Sequence, residues 1–187
     1  MHRTEGRTRW LRGLVLLSFV AIGPLRATDP EDELKSATVL TFIRHAEWRG
    51  DATGPINIAV LGRPAMVRTL RRTLEGKTAN SRALRIVDAR PPADLRACHV
   101  LYIASDNNKE VSQTLAGARD SHALTIGESF RFLEYGGAVN LLIVDGHMSF
   151  EVSREALDRA GVAISSTLLR YGQVAPKAAF RKARPPL

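Results

Sequence analysis

Segments with the hydrophobic spacing of a helix alternate along the body of the chain with short apolar runs of strand length. Spacings of three and four residues predict a first helix from Asp29 and Pro30 to about Trp48. Its predicted inward face contains Leu34, Ala37, Thr38, Thr41, Phe42, His45 and Trp48. The same spacing predicts a helix over 63–75, one over 109–119 capped by Ser105 or Asp106, one over 154–160 capped by Ser153 and ended by Gly161, and a short one after Ser165 or Ser166. Short apolar runs predict strands over 56–61, 83–87, 98–104 and 124–126.

A β-hairpin is the clearest local signal. Two strand-like runs, 139–144 and 147–152, flank Asp145-Gly146. Asp-Gly between strands is typical of a two-residue turn, because both turn positions need positive φ. Strands that alternate with helices and end in a hairpin predict an α/β fold, with a mainly parallel sheet, an antiparallel portion and helices on both faces.

Both ends of the chain differ from its body. Arg3, Arg7, Arg9 and Arg12 precede an uncharged apolar run, Leu14–Ile22, and Pro24 follows it. A run of about nine apolar residues is typical of a secretory signal peptide and is shorter than a membrane span. The sequence therefore predicts a signal peptide over 1–27, export to the periplasm, a single α/β domain over 28–176 and a disordered basic tail over 177–187.

The net charge of +8 is concentrated at the two ends. Residues 1–27 and 177–187 carry +4 each, so residues 28–176 have no net charge. A protein that binds phosphate backbones needs a basic surface on its folded part. The neutral body therefore predicts that nucleic acid is not a partner.

The sequence contains no motif that carries chemistry. It has no phosphate loop, dinucleotide-binding glycine pattern, nucleophile elbow or zinc-protease motif. The five histidines are scattered, and His45 and Glu47 do not share a helix face. We therefore predict no catalytic residue, no metal and no cofactor. Cys98 is the single cysteine and lies in an apolar run, which is typical of a buried core residue.

An aromatic segment precedes a glycine pair in the last third of the chain. Its rings are Phe130, Phe132 and Tyr135, and they form either a satellite of the core or an exposed binding patch. The glycines permit either a bulge at the start of a strand or the close approach of a ligand or partner. We predict partner contacts at Phe130, Phe132, Glu134 and Tyr135, and structural turns at Gly136, Gly137, Asp145 and Gly146.

The order of several short motifs resembles the YfiR family of bacterial periplasmic proteins. The resemblance covers roughly Leu34 to Val174. Arg63 stands where the family usually has an acid, Ser153 stands where it has an asparagine, and the cysteine partners of some relatives are absent. The motifs that carry the resemblance are Lys35-Ser36-Ala37, Glu47-Trp48, Ile56–Gly62, Gly76-Lys77-Thr78, Cys98-His99-Val100-Leu101, Gly136-Gly137-Ala138-Val139-Asn140, Phe150-Glu151 and Ser165-Ser166-Thr167-Leu168-Leu169.

The resemblance implies a fold and a role. The implied fold is a sheet of about six strands flanked by helices, with homodimerisation. The implied role is a periplasmic repressor that binds the sensor region of an inner-membrane diguanylate cyclase. An outer-membrane lipoprotein that captures the repressor would then release cyclic-di-GMP synthesis and favour biofilm formation.

Three hypotheses about function follow from the sequence. A repressor that binds a protein predicts an exposed apolar or aromatic patch. A periplasmic module that senses a small ligand predicts an apolar cleft with a few polar groups at the strand ends. An enzyme predicts titratable residues that converge in a cleft. The lack of motifs favours the first, with the ligand sensor as the alternative.

Overall fold

The computed structural model describes residues 29–50, 53–88 and 93–174. The predicted signal peptide and basic tail lie outside these residues. None of the helices in these ranges is sufficiently long and apolar to span a bilayer. The helices there are α1 (Pro30–Arg44), α2 (Pro64–Leu74), α3 (Asn108–Gly117), α4 (Arg154–Ala160) and α5 (Ser166–Leu169), with a 3₁₀ helix at Ala93–Ala97. The strands are β1 (Ala46–Trp48), β2 (Ile56–Gly62), β3 (Thr78–Ala79), β4 (Arg82–Val87), β5 (Val100–Ala104), β6 (Leu124–Gly127), β7 (Val139–Val144), β8 (His147–Val152), β9 (Val162–Ile164) and β10 (Gln173–Val174).

One mixed sheet organises the described residues. Its strand order is β10-β8-β7-β6-β5-β2-β4-β3. The neighbouring strands β4, β2, β5, β6 and β7 are parallel, and β8 returns antiparallel to β7. The α/β class and the mixed sheet are confirmed. The expected six strands become eight in the described part of the chain, because β3 and β10 add two-residue edge strands too short to show a period in the sequence.

The first helix ends earlier than predicted. Asp29 caps α1 as expected, but the helix stops at Arg44 and the chain continues as β1, which pairs antiparallel with β9. The inward face is also different from the prediction, since Leu34 is 42% exposed and His45 is exposed. The buried face of α1 instead contains Asp32, Lys35, Ser36, Val39, Leu40, Phe42 and Ile43.

Alternating side chains of the strands divide the core into two layers. In β2, Ile56 and Ile58 pack with the helices of one face, whereas Ala59 points to the other face. The first layer contains buried residues of α1, α2, α4 and α5. The second contains buried residues of α3, the 3₁₀ helix and the segment after β6. Helices therefore cover both faces of the sheet, as predicted.

The hairpin has the turn that the sequence predicts. Strands β7 and β8 pair from Val139↔Val152 to Val144↔His147. Asp145 and Gly146 have φ of 50° and 77°, the positive values that a two-residue hairpin turn requires. Beyond the hairpin, Ser153 caps α4 and Gly161 ends it at a φ of 69°, both as predicted.

One predicted helix cap is wrong. Ser105 or Asp106 was expected to cap α3, but the side chain of Asn107 accepts hydrogen bonds from the backbone N–H groups of Lys109 and Glu110. Ser105 instead donates to the carboxylate of Glu110 at 2.7 Å. Several polar residues stand before this helix, so the sequence indicates a cap without deciding which residue forms it.

Candidate functional site

The predicted contact segment connects the two ends of the parallel strands. It starts at Glu128, at the carboxyl end of β6, and returns to Gly136, before the amino end of β7. Phe130 is 75% exposed, and Glu134 and Tyr135 are half-buried. The surface positions expected for these residues are present, and their role in binding stays a prediction.

Phe132 is not on the surface. Its side chain is fully buried in the second core layer, so the expectation that its ring contacts a partner is contradicted. The ring lies between Gly127 and Gly137, and a β-carbon at either glycine would collide with it. The close approach that Gly137 permits is therefore to the protein's own phenyl ring. Gly136 has a φ of +94°, which a residue with a β-carbon rarely adopts.

The exposed part of the segment is held by short-range contacts. Arg131 Nε donates to Glu134 Oε2 at 2.6 Å, and the guanidinium lies 5.1 Å from the centroid of the Tyr135 ring. The hydrogen bond to Glu134 raises the pKa of Arg131. At the turn of the segment, the backbone N–H of Tyr135 donates to the Arg131 carbonyl. These contacts give the surface around Phe130 a defined shape.

Glu128 anchors the start of the segment in a group of charges that are buried except for Arg63. Its carboxylate accepts from Lys35 Nζ at 2.6 Å and from Arg63 Nη2 at 2.9 Å. Tyr102 donates its hydroxyl to Glu128 at 3.3 Å. Arg63 also donates to Asp32, which is 2% exposed. We call Asp32, Lys35, Arg63, Tyr102 and Glu128 the ionic cluster.

Proton affinities in the ionic cluster favour its paired state. Burial by itself would lower the pKa of Lys35, but hydrogen bonds to Glu128 and Glu31 raise it above the usual value. The hydrogen bond to Asp32 raises the pKa of Arg63. Burial, together with the negative charge of Glu128, raises the pKa of Tyr102. Near neutral pH the two cations stay charged, and Tyr102 keeps the proton that it donates.

The ionic cluster closes the carboxyl end of the sheet. Arg63 and Glu128 directly follow β2 and β6, and α1 supplies Asp32 and Lys35. Within the described residues, none of the groups of histidine, cysteine, aspartate and glutamate could hold a metal ion. The arrangement joins α1, β2 and the segment after β6. The ionic cluster has a structural role, because its charged groups are already bonded to one another and join these three elements.

The open part of the molecule is the amino end of the same strands. One cavity of about 560 Å³ lies between α3, the contact segment and α4, and Glu134, Tyr135 and Gly136 line it. A second cavity of about 610 Å³ adjoins it and is lined by Trp48, Cys98 and His99 among others. The two share His122, Arg159 and Ala160, and together we call them the amino-edge cleft.

Cys98 lies at the wall of the second cavity and is 5% exposed. Burial raises the pKa of its thiol, and the negative charge of Asp94 acts in the same direction. The thiol donates to the Asp94 carbonyl at 3.5 Å. These properties confirm the prediction of a core cysteine and do not describe a reactive thiolate.

Sequence reasoning missed both the ionic cluster and the cleft. Lys35 belongs to a motif that carried the family resemblance, but the predicted inward face of α1 did not include it. Arg63 stands where the family usually has an acid, and the sequence alone gives no reason for this difference. Its two bonds to carboxylates supply that reason, since an acid at this position would face Asp32 and Glu128. The signals that the sequence does contain are a lysine inside a family motif and the departure from the family at Arg63.

Comparisons with known proteins support one family and one fold. A family model described as YfiR/HmsC-like matches residues 32–173. No curated protein matches the sequence. Among solved structures, a conserved domain protein from Vibrio cholerae is similar at a TM-score of 0.53 and 12% identity. The match covers 78% of this chain and 60% of the Vibrio chain, so this chain spans about three fifths of that protein. At this identity the likeness shows the fold alone.

Proposed function

The chain belongs to the YfiR/HmsC-like family, and we propose that it is a periplasmic regulatory protein that represses an inner-membrane diguanylate cyclase. In this proposal it binds the sensor region of the cyclase and lowers cyclic-di-GMP synthesis. It acts by docking and not by turnover of a substrate. An outer-membrane lipoprotein would relieve repression by capturing the protein.

One observation supports docking most directly, namely the exposed ring of Phe130 on a segment fixed at both sides. Glu128 is bonded into the ionic cluster, and Phe132 is locked between two glycines. Because the backbone between these anchors is already ordered, a partner that covers Phe130 loses little conformational entropy on binding. Aromatic side chains presented in this way commonly dominate binding energy.

The test is made in cells that carry the cyclase and a deletion of this protein. Deletion is expected to raise cyclic-di-GMP, and the wild-type chain is expected to restore the lower level. The Phe130→Ala variant should fold normally and fail to restore it. Tyr171→Ala is the matched control, because Tyr171 is an aromatic residue of similar exposure, 80%, outside the segment.

Two results would count against the proposal. Equal repression by wild type and Phe130→Ala would remove the segment from the interface. Unchanged cyclic-di-GMP after deletion would remove the cyclase as target. A pull-down from an envelope extract with wild type and Phe130→Ala identifies the partner directly, since the cyclase should be retained by the wild type alone.

A further inference from the structure

We propose that the amino-edge cleft is a docking groove for an extended acidic segment of the partner protein. This inference rests on the proposed function for the identity of the partner and on the cleft itself for the chemistry of recognition. It places a second contact surface directly beside the Phe130 segment, since Glu134, Tyr135 and Gly136 belong to both.

Charge is the first argument for an acidic occupant. Within the described residues, the cleft is lined by five arginines and three carboxylates. Arg131 is paired with Glu134 at 2.6 Å and Arg159 with Glu155 at 3.8 Å. The third carboxylate is Asp158, which lies in the second cavity.

The remaining arginines carry the excess positive charge. No hydrogen bond or ion pair joins the guanidinium groups of Arg49, Arg96 and Arg119 to another side chain within 29–50, 53–88 and 93–174. With Asp158 counted, the charged side chains of the cleft have an excess of two positive charges, which raises the local potential for anions. An acidic segment would neutralise them.

The layout of the cleft is the second argument, and it favours an extended chain. Each cavity by itself has a volume that a small ligand could fill, but the two share His122, Arg159 and Ala160 and follow one edge of the sheet. Their walls include His99, His122 and Gly136, which precede β5, β6 and β7 respectively. Three neighbouring strands are about 10 Å across. An extended peptide advances about 3.3 Å per residue, so at least three or four residues fit along this path.

The side chains of the cleft suit recognition of carboxylates by an ordered surface. Guanidinium groups bind carboxylates through two parallel hydrogen bonds, which lysine does not match. An aromatic residue stands in each cavity. Trp48 Nε1 donates to the His99 carbonyl at 3.1 Å, and Tyr135 packs under Arg131. Fixed aromatic rings of this kind serve as anchors for apolar side chains of a bound segment.

The proposal can be tested on the purified full-length chain without knowing the partner. The probe is a fluorescein-labelled octapeptide of alternating glutamate and leucine, and binding is measured by fluorescence anisotropy. The matched probe replaces each glutamate with glutamine. The glutamate peptide is expected to bind at least about tenfold more tightly, with an affinity that falls as sodium chloride rises from about 50 to 300 mM, because screening weakens exposed charge pairs.

Two triple variants locate the binding surface. Combined Arg49→Gln, Arg96→Gln and Arg119→Gln should weaken binding of the glutamate peptide at least about tenfold, since each lost guanidinium–carboxylate pair accounts for roughly a three- to fivefold change in affinity. Combined Arg44→Gln, Arg68→Gln and Arg85→Gln remove the same charge from exposed positions outside the cleft and should leave binding unchanged. Equal losses in both variants would mean attraction by net charge alone and would overturn the groove.

Other outcomes are equally decisive. The absence of binding, or equal binding of the glutamine peptide, overturns the proposal. Complete displacement of the peptide by inorganic phosphate at millimolar concentration would assign the cleft to small oxyanions instead. Because these measurements use no cyclase, they are independent of the proposed target. Normal peptide binding together with unchanged cyclic-di-GMP in the deletion strain would keep the groove and reject the cyclase.

Discussion

The two ends of the parallel strands are built in opposite ways. At the carboxyl end, charged side chains are bonded to each other, and Lys35 and Glu128 are buried, with side-chain exposures of 9% and 7%. Arg63 joins them from the surface, with a side-chain exposure of 45%. At the amino end, charged side chains surround open space, and Arg49, Arg96 and Arg119 are exposed. The segment from Glu128 to Gly136 runs from one end to the other and is fixed to both.

This difference shows that the fold class alone does not locate the functional surface. Ligands of open α/β sheets usually bind at the carboxyl ends of the strands. Here the ionic cluster fills that position. The surface that we propose for recognition therefore lies at the opposite end and on the connecting segment. Function has to be argued from the side chains at each end.

The largest expected effect separates the two aromatic residues of the connecting segment. Phe132→Ala should lower the free energy of unfolding by about 3–5 kcal/mol, because it removes a fully buried ring and leaves a cavity between two glycines. Phe130→Ala should stay within about 0.5 kcal/mol of wild type, because its ring is exposed. Urea denaturation followed by circular dichroism measures both. Similar losses in the two variants would show that the segment does not have the packing described.

The next effect concerns the closed end. Lys35→Met keeps the length and the apolar stem of the side chain but leaves a buried carboxylate with fewer partners. The expected loss is about 3 kcal/mol, at the lower end of the range for broken buried pairs, because Arg63 and Tyr102 still bond to Glu128. Arg71→Met is the control. It removes exposed pairs with Glu75 and Asp88 and should cost at most about 1 kcal/mol.

The hairpin and the ionic cluster differ in how far the sequence predicts them. The hairpin needs only local information, because Asp145-Gly146 specifies its own turn. Lys35 and Glu128 are 93 positions apart, and no local pattern connects them. Their pairing depends on where α1 crosses the end of β6, which is a property of the assembled sheet.

The aromatic segment shows the same limit on a smaller scale. The sequence marks its rings as a group, but composition does not distinguish Phe130 from Phe132. Phe132 is buried because Gly127 and Gly137 leave room on both sides of its ring. The glycine before β7 was visible in the sequence, whereas the need for two glycines around one ring appears only when the segment folds back.

A smaller effect follows from the proton affinities of the closed end. The folded-state pKa values of Lys35 and Tyr102 lie above the reference values of 10.5 and 10.0. Groups with a raised pKa stabilise the fold fully below the unfolded-state value and lose that contribution as pH rises through the folded-state value. Stability should therefore be insensitive to these groups between pH 7 and 9. It should fall above about pH 10, by at most about 1.4 kcal/mol per pH unit for each group.

Urea midpoints measured from pH 7 to 11 test this dependence. Tyr102→Phe keeps the buried ring and removes the ionisable hydroxyl, so its stability should decline less steeply above pH 10 than that of wild type. Tyr171→Phe is the control, because Tyr171 is exposed and outside the ionic cluster. An identical decline in wild type and Tyr102→Phe would separate Tyr102 from the alkaline transition.

The smallest expected effect belongs to the open end and decides whether the contrast between the ends is real. Combined Arg49→Gln, Arg96→Gln and Arg119→Gln should change the free energy of unfolding by no more than about 0.5 kcal/mol, because exposed side chains without partners contribute little to stability. Reduced repulsion among the arginines acts toward a higher free energy of unfolding. Urea denaturation at about 50 mM salt gives the measurement, with Lys35→Met as the destabilised reference. A loss above about 1 kcal/mol would mean that these arginines stabilise the fold. The charged side chains at the two ends of the sheet would then differ in exposure but share a stabilising role.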